Sequence, residues 1–297
     1  MVRLSVLSPA LILTAGVAAG AAMDATIKHL AHTNHVLLVV LGRYVFGTLF
    51  ALAIWAQAGR PRITPGMVRA HGLRGLVVAA CSTSFFWGLT VLPLAEAVTL
   101  TFIYPLVVPF AAWAMIGERV RLASMASAGL GFIGVLIAAL GGPDAAVSPL
   151  HAWGVASVLF SALTFAIAMV ILRARAQTDG AAIVGLMASL MPGLLIAAPA
   201  IAISPPPLWS DWPIFLLMGA FAATLTYLTA RAYALAEAQR LAPIHYTELI
   251  WAALFGFAIF HETPRPQVLL GAILIIGASL FSAYEERRAT LQPKDAT

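Results

Sequence analysis

Charge is scarce in this chain. Only 10% of its residues are Asp, Glu, Lys or Arg, against 61% hydrophobic. A soluble domain carries about 25% charged residues, so a water-solvated globule is excluded. Mean hydropathy is +0.94, and the chain is expected to be solvated largely by lipid. Cysteine is nearly absent as well. Cys81 stands alone, which excludes an internal disulfide and leaves the redox compartment unread. No Walker A pattern is present, so ATP hydrolysis within the chain is not expected. His261-Glu262 lacks the second histidine of a zinc-protease motif. His29, His32 and His35 recur every three residues, without Cys or further carboxylates close by, and no metal is expected there. No converging nucleophile and base is recognisable, so the chain is not read as an enzyme, and no cofactor is expected.

What the chain has is apolar runs of membrane length. A spanning helix needs about 20 apolar residues. Runs of that size fall at 8–30, 35–57, 72–92, 95–116, 122–140, 150–172, 182–203, 212–236, 241–260 and 266–284. The first run continues through Asp24 and Lys28 toward further spans, and is read as a span in place of a cleavable signal. The expected fold class is an all-α membrane protein of ten transmembrane helices. With the amino terminus inside, 13 Lys and Arg residues fall on the inner side and two, Lys28 and Arg265, on the outer side. Basic residues accumulate on the cytoplasmic side of a membrane, so both termini are expected there. The net charge of +5 would raise nucleic acid as a partner in a soluble protein. Here the bases punctuate apolar spans, so lipid headgroups are the expected partner and nucleic acid is not.

Self-comparison exposes a repeat. Leu94-Ala95-Glu96-Ala97 recurs as Leu235-Ala236-Glu237-Ala238, an offset of 141. Gly117-Glu118 is answered by His261-Glu262, and Gly134-Val135-Leu136-Ile137 by Gly277-Ala278-Ser279-Leu280, at offsets of 144 and 143. The unit is five helices, over 8–140 and again over 150–284, with a cytoplasmic tail at 285–297. Five is odd, so the second copy enters from the opposite side. Inverted repeats place a binding site near the midplane, between the halves.

Charges inside spans are expensive, at ~2.5–3.5 kcal/mol or more on insertion scales. Asp24 and Lys28 are four apart and share a helix face. With Arg43 and Glu96 they make a candidate outer cluster, either a pathway or a structural ion pair with Lys28 reaching the headgroups. Toward the inner side, Arg231 and Glu248 lie on consecutive spans and can meet. Either a gate latch or a substrate or coupling role fits them, with Glu248 the candidate proton carrier. Aromatic candidates for a stacking cavity are Phe86 and Trp87 in the third span, Tyr104 in the fourth, Tyr227 in the eighth, and Tyr246 and Trp251 in the ninth. Packing or lipid contact is the alternative for each. Pro105, Pro109 and Pro243 interrupt the backbone ladder, and freed carbonyls can line a cavity. Gly129, Gly131, Gly134, Gly271 and Gly277 are expected to let the fifth and tenth spans approach closely.

The ordered set Asp24, Lys28, Arg43, Arg74-Gly75, Phe85-Phe86, Leu92-Pro93-Leu94-Ala95-Glu96-Ala97, Pro105-Leu106 and Gly117-Glu118-Arg119 resembles the EamA group of the drug/metabolite transporter superfamily. The resemblance covers nearly the whole chain. It implies a ten-helix transporter with a central cavity lined mainly by the third, fourth, eighth and ninth spans. It implies a bacterial inner-membrane location and a small-molecule substrate, with protons as a coupling ion to test. Riboflavin or S-adenosylmethionine uptake is the first expectation, and amino-acid or drug export the second. A passive channel and an intramembrane enzyme are the readings from other classes.

Overall fold

The computed structural model describes residues 9–117, 120, 122–139, 149–235 and 242–291. Regular structure among them is helical: α1 (Pro9–Thr33), α2 (Val36–Gln57), α3 (Pro65–Val91), α4 (Leu94–Thr101), α5 (Tyr104–Ile116), α6 (Leu122–Ala139), α7 (His151–Asp179), α8 (Ala181–Ile203), α9 (Trp212–Leu235), α10 (Thr247–Phe260) and α11 (Pro266–Leu291). Short 3₁₀ turns, Trp209–Asp211 and Ala242–Tyr246, lead into α9 and α10. Seven segments are long and apolar enough to cross a membrane, α4 and α5 together forming one of them. Shorter apolar helices at Met125–Ala138, Ile244–Phe260 and Pro266–Ala278 bring the total to ten. The protein is thus an all-α, multi-pass membrane protein. Glu118, the bases at 3, 119, 121, 240 and 294, most of the 141–149 loop, and residues 236–238 of the second Leu-Ala-Glu-Ala copy lie outside the described residues.

Local chemistry sets the helix ends. Thr64 caps α3, its hydroxyl accepting from the Met67 N–H at 3.4 Å, with Pro65 in the first turn where its missing N–H costs nothing. His35 does the same for α2, its Nδ1 accepting from the Leu37 N–H at 3.3 Å. The fourth pass breaks at Phe102–Ile103 and restarts with Tyr104-Pro105. The ninth restarts through the 3₁₀ turn that contains Pro243. Both restarted helices end on a left-handed residue, Gly117 at φ 72° and His261 at φ 56°. These sit at the repeat offset of 144. Two expectations on extent need adjusting. α3 begins at Pro65, ahead of the start expected at residue 72, so Arg74 lies well inside a helix. α11 runs to Leu291, well past residue 284.

The principal helix contacts join the two halves. α1 packs on α9, α3 on α7, α2 on α8, and α6 on α11. Exchanging the halves turns the first pairing into the second and leaves the other two unchanged. The contacts of α2 with α9 and α3 with α8 are exchanged in the same way, as are those of α1 with α10 and α5 with α7. Among the described residues, the helix pairings are thus symmetric under exchange of the two halves. Among the glycines of the α6–α11 crossing, Gly134 and Gly271 do the work. A Cβ on Gly271 would stand 2.6 Å from the Gly134 carbonyl oxygen. Gly131 instead faces Leu106 of α5, while Gly129 and Gly277 face open space. Repeat register and packing register differ here because the helices cross at a single point.

Candidate functional site

Two groups of charged side chains lie inside the bundle, at different depths. One seals an end. Lys28, 4% exposed, donates from Nζ to the Leu92 carbonyl at 2.8 Å and to Glu262 Oε1 at 2.5 Å. Glu262 Oε2 accepts from the Leu94 N–H at 2.9 Å. That bond satisfies a first-turn donor of α4 whose N-cap, Pro93, has no side chain able to do so. Glu96, 1% exposed, accepts from Arg265 Nη2 at 2.6 Å through Oε2 and meets His151 Nε2 at 2.8 Å through Oε1. The Lys28 ammonium also stands 5.2 Å from the centroid of the Phe260 ring. These bonds tie α1 and the α3–α4 junction of the first half to the start of α7 and the α10–α11 connection of the second. The space left among Pro93, Glu96, Glu262 and Arg265 is about 10 Å³. That is room for one water and for no metabolite. Alongside, Asn34 Nδ2 donates to Asp211 Oδ2 at 2.7 Å, fastening the end of α1 to the approach to α9.

The second group lies deeper. Asp24 precedes Lys28 by one helical turn, ~6 Å along the axis. It is nine residues from the end of α1, so ~13 Å in, near the middle of a ~30 Å hydrocarbon layer. Asp24 is 6% exposed and stands within electrostatic reach of Glu248 and Arg43. Glu248 occupies the first turn of α10, where the helix dipole favours a carboxylate. Arg43 lies over the Tyr44 ring, its guanidinium carbon 4.8 Å from the centroid. Tyr44 is fully buried, and its hydroxyl shares a 2.5 Å hydrogen bond with Ser82 Oγ. Arg74 of α3 is within reach of Tyr44, and its buried Nε has no hydrogen-bond partner.

The expected outer cluster therefore divides. Lys28 and Glu96 belong to the sealed end, each with a partner from the other half. Asp24 and Arg43 belong to the deeper group with Glu248. Lys28 takes Glu262 in place of Asp24, because a helical turn separates their levels and the lysine stem extends toward the α10–α11 connection. The expected meeting of Arg231 and Glu248 is not formed either. Arg231 Nη1 donates to Tyr227 Oη at 3.3 Å, one turn back on its own helix. Glu248 faces α1 instead.

The aromatic candidates scatter. Phe86 is buried in the main core, while Tyr227, its repeat counterpart, is 47% exposed. Trp87 lines an open groove of about 620 Å³ with Asn34, His35, Thr83, Thr90 and Ser157. Tyr104 meets Phe165 edge-on at 4.8 Å, and Tyr246 packs on Phe102 at 5.4 Å. Trp251 stacks on Phe255 at 6.2 Å and packs beside Ile12, Leu13 and Val17 of α1. Tyr104 and Tyr246, offset by 142, open the two restarted helices and occupy corresponding places in the fold, as Phe86 and Tyr227 do not. Sequence reasoning did not assign roles to Tyr44, Arg74, His151, Glu262 and Arg265. Glu262 carried a signal, as the acid following a helix end in both repeats.

A helical bundle with two related halves, one end sealed by ion pairs, and charged groups enclosed near mid-membrane has the architecture of a membrane transport protein. The model of the EamA-like transporter family matches residues 7–140 and again 152–284. The chain belongs to that family. It is 24% identical over 269 residues to an S-adenosylmethionine uptake transporter of Rickettsia bellii, covering 90% of each chain. It is 28% identical to a riboflavin transporter of Rhizobium johnstonii, covering 84% of this chain and 82% of that one. A pseudopaline exporter of Pseudomonas aeruginosa is 24% identical, with 87% and 89% covered. A solved crystal structure superposes with a TM-score of 0.62 at 19% identity, covering 95% of this chain and 98% of that one, and shares the fold.

Proposed function

We propose that the protein is a secondary active transporter that moves a small polar metabolite across a bacterial inner membrane by alternating access. The two five-helix halves are inverted, and both termini lie in the cytoplasm. The observation that carries this reading is the separation of the two charged groups. The halves are ion-paired at the sealed end, while Asp24, buried one helical turn from Lys28, stands within electrostatic reach of Arg43 and Glu248. A pathway closed at one end and charged at its middle suits a carrier that opens one side at a time. A channel needs both ends open together. The named relatives favour uptake of S-adenosylmethionine or riboflavin first and metabolite export second. The chain acts without enzymatic chemistry. Glu248 is the coupling carboxylate, exchanging a proton as the halves rock.

The test is uptake of labelled S-adenosylmethionine and riboflavin by the purified protein in liposomes, with and without a pH gradient. The reading expects one of them to move and a gradient to drive it. Glu248→Gln should abolish gradient-driven uptake and retain counterflow. Unchanged gradient dependence in that variant would remove Glu248 from coupling, and absence of any flux would overturn the substrate assignment.

A further inference from the structure

One stripe of α3 is buried: Gly75, Ala79, Ser82, Phe86 and Leu89. Another face of the same helix changes character along its length. Toward the start it carries Leu73 and Leu76, 62% and 57% exposed, as suits contact with lipid tails. Seven and fourteen residues beyond Leu76, on the same side by helical period, stand Thr83 and Thr90, with Trp87 between them. On α7, Ser157 lies between Trp153 and Phe160, both turned outward. The Tyr44–Ser82 hydrogen bond ties α2 to α3 at mid-helix. Between that bond and the sealed end the two helices part, and the space between them is the open groove of about 620 Å³ that Trp87 lines. Small-molecule sites measure ~300–1,000 Å³. The groove is therefore a polar interruption, of binding-site size, in a face that otherwise meets lipid.

The lining has already committed most of its protons. Thr90 Oγ1 donates to the Trp87 carbonyl at 2.6 Å, and Ser157 Oγ to the Ser84 carbonyl at 2.8 Å. Asn34 Nδ2 donates to Asp211, Thr33 and Leu30 oxygens at 2.7, 3.0 and 3.1 Å. What these three side chains still offer is oxygen lone pairs. Trp87 adds the negative face of an indole. His35 is the exception. Its Nδ1 accepts from the Leu37 N–H, so the ring is neutral and its proton sits on Nε2, a donor at the mouth of the groove. Acceptors around an aromatic face suit a cation that carries N–H groups, and the one donor suits an anion beside it. We propose that the groove holds a phospholipid whose headgroup carries a primary ammonium next to its phosphate, phosphatidylethanolamine. The ammonium takes the Asn34, Thr90 and Ser157 oxygens and the Trp87 face. The phosphate takes His35, and the acyl chains run along Leu76 and Leu73. Thr90 to Leu76 is ~21 Å along the helix. That is one leaflet with its headgroup layer, half of a ~40–45 Å bilayer. This continuity with the leucine face favours a lipid over a dissolved ammonium compound. The site is separate from the Asp24, Arg43 and Glu248 group and does not depend on what the protein carries.

Native mass spectrometry of the full chain in detergent tests this. The protein is titrated with phosphatidylethanolamine, phosphatidylcholine and phosphatidylglycerol of matched chains, and with glycerophosphoethanolamine, the same headgroup without chains. Phosphatidylethanolamine should saturate at one retained lipid. Phosphatidylcholine, whose ammonium has no N–H, and phosphatidylglycerol, which has no cation, should bind about tenfold more weakly. The chainless headgroup should not compete. Thr90→Val, which removes an acceptor, should narrow the margin over phosphatidylcholine about threefold. Trp87→Leu should weaken both ammonium lipids about threefold, through the lost ring face. Trp153→Leu, an exposed tryptophan of α7 outside the groove, should change neither. Thermal unfolding of each variant identifies any that fails to fold, and the lipid comparison in the parent chain stands without variants. Equal retention of the three lipids overturns the proposal, as does a preference for phosphatidylcholine or phosphatidylglycerol. So does an unchanged lipid profile in folded Thr90→Val and Trp87→Leu. Competition by glycerophosphoethanolamine equal to that of the lipid would make the groove a site for a dissolved ammonium compound and overturn the lipid assignment.

Discussion

Glu262→Gln removes one negative charge from the sealed end and one of the two acceptors that Lys28 and Leu94 now share. In the parent chain Oε1 accepts from Lys28 and Oε2 from the Leu94 N–H. An amide has one oxygen, so either the ammonium or the first-turn N–H loses its partner. Lys28 is 4% exposed and retains only the Leu92 carbonyl. A hydrogen bond to a charged group contributes about 1.5–3 kcal/mol. Glu262 is 24% exposed on its side chain, which places the loss toward the middle of that range. Taking about 2 kcal/mol against the closed state, the open fraction should rise about 30-fold. Thr99 reports it. It lies three residues beyond Glu96 on the same face of α4 and is fully buried. In a Cys81→Ser background, Thr99→Cys should react slowly with a membrane-impermeant maleimide added from the outside. Adding Glu262→Gln should accelerate that reaction about 30-fold. Equal rates would refute the role of this network as the closure, and acceleration from the inside alone would refute the assigned orientation.

Gly271→Ala should destabilise the protein by about 1–3 kcal/mol. Its Cβ would sit 2.6 Å from a backbone oxygen and 2.7 Å from the Ala138 Cβ, and neither can swing away. A lowered melting midpoint in detergent checks this, and Gly277→Ala, which meets nothing within 4 Å, is the neutral control. Tyr44→Phe leaves the buried Ser82 hydroxyl without its 2.5 Å partner and should cost about 1–2 kcal/mol by the same measurement. The double variant Tyr44→Phe/Ser82→Ala should recover part of that loss, since no orphaned hydroxyl remains.

The passes were legible because hydropathy integrates over about 20 residues and needs no tertiary information. The duplication was legible because Leu-Ala-Glu-Ala and the acid after a helix end recur in order. The two bases expected on the outer side, Lys28 and Arg265, are both members of the sealed end. Their partners were not legible. Glu262 reaches Lys28 across 234 positions of sequence, and only the packing of α1 against α10 brings them together. Sharing a helix face led Asp24 and Lys28 to be grouped, yet a turn of helix assigned them to different levels. Helical spacing cannot show which of several neighbouring helices a side chain meets. The aromatics failed for that reason too. Phe86 and Tyr227 are equivalent in sequence, but one faces the core and the other the outside. Gly134 was recognised as a close-packing residue, whereas its partner across the crossing, Gly271 and not Gly277, follows from the crossing point alone.

Counterflow tests the central claim most directly. Liposomes containing the protein and loaded with unlabelled S-adenosylmethionine, or with riboflavin, are diluted into the labelled compound. A carrier that exposes its midplane site to one side at a time predicts saturable uptake, accelerated by the internal load and with a transient overshoot. Uptake that rises linearly with external concentration and ignores the internal load would contradict it, because that is the behaviour of a pathway open at both ends.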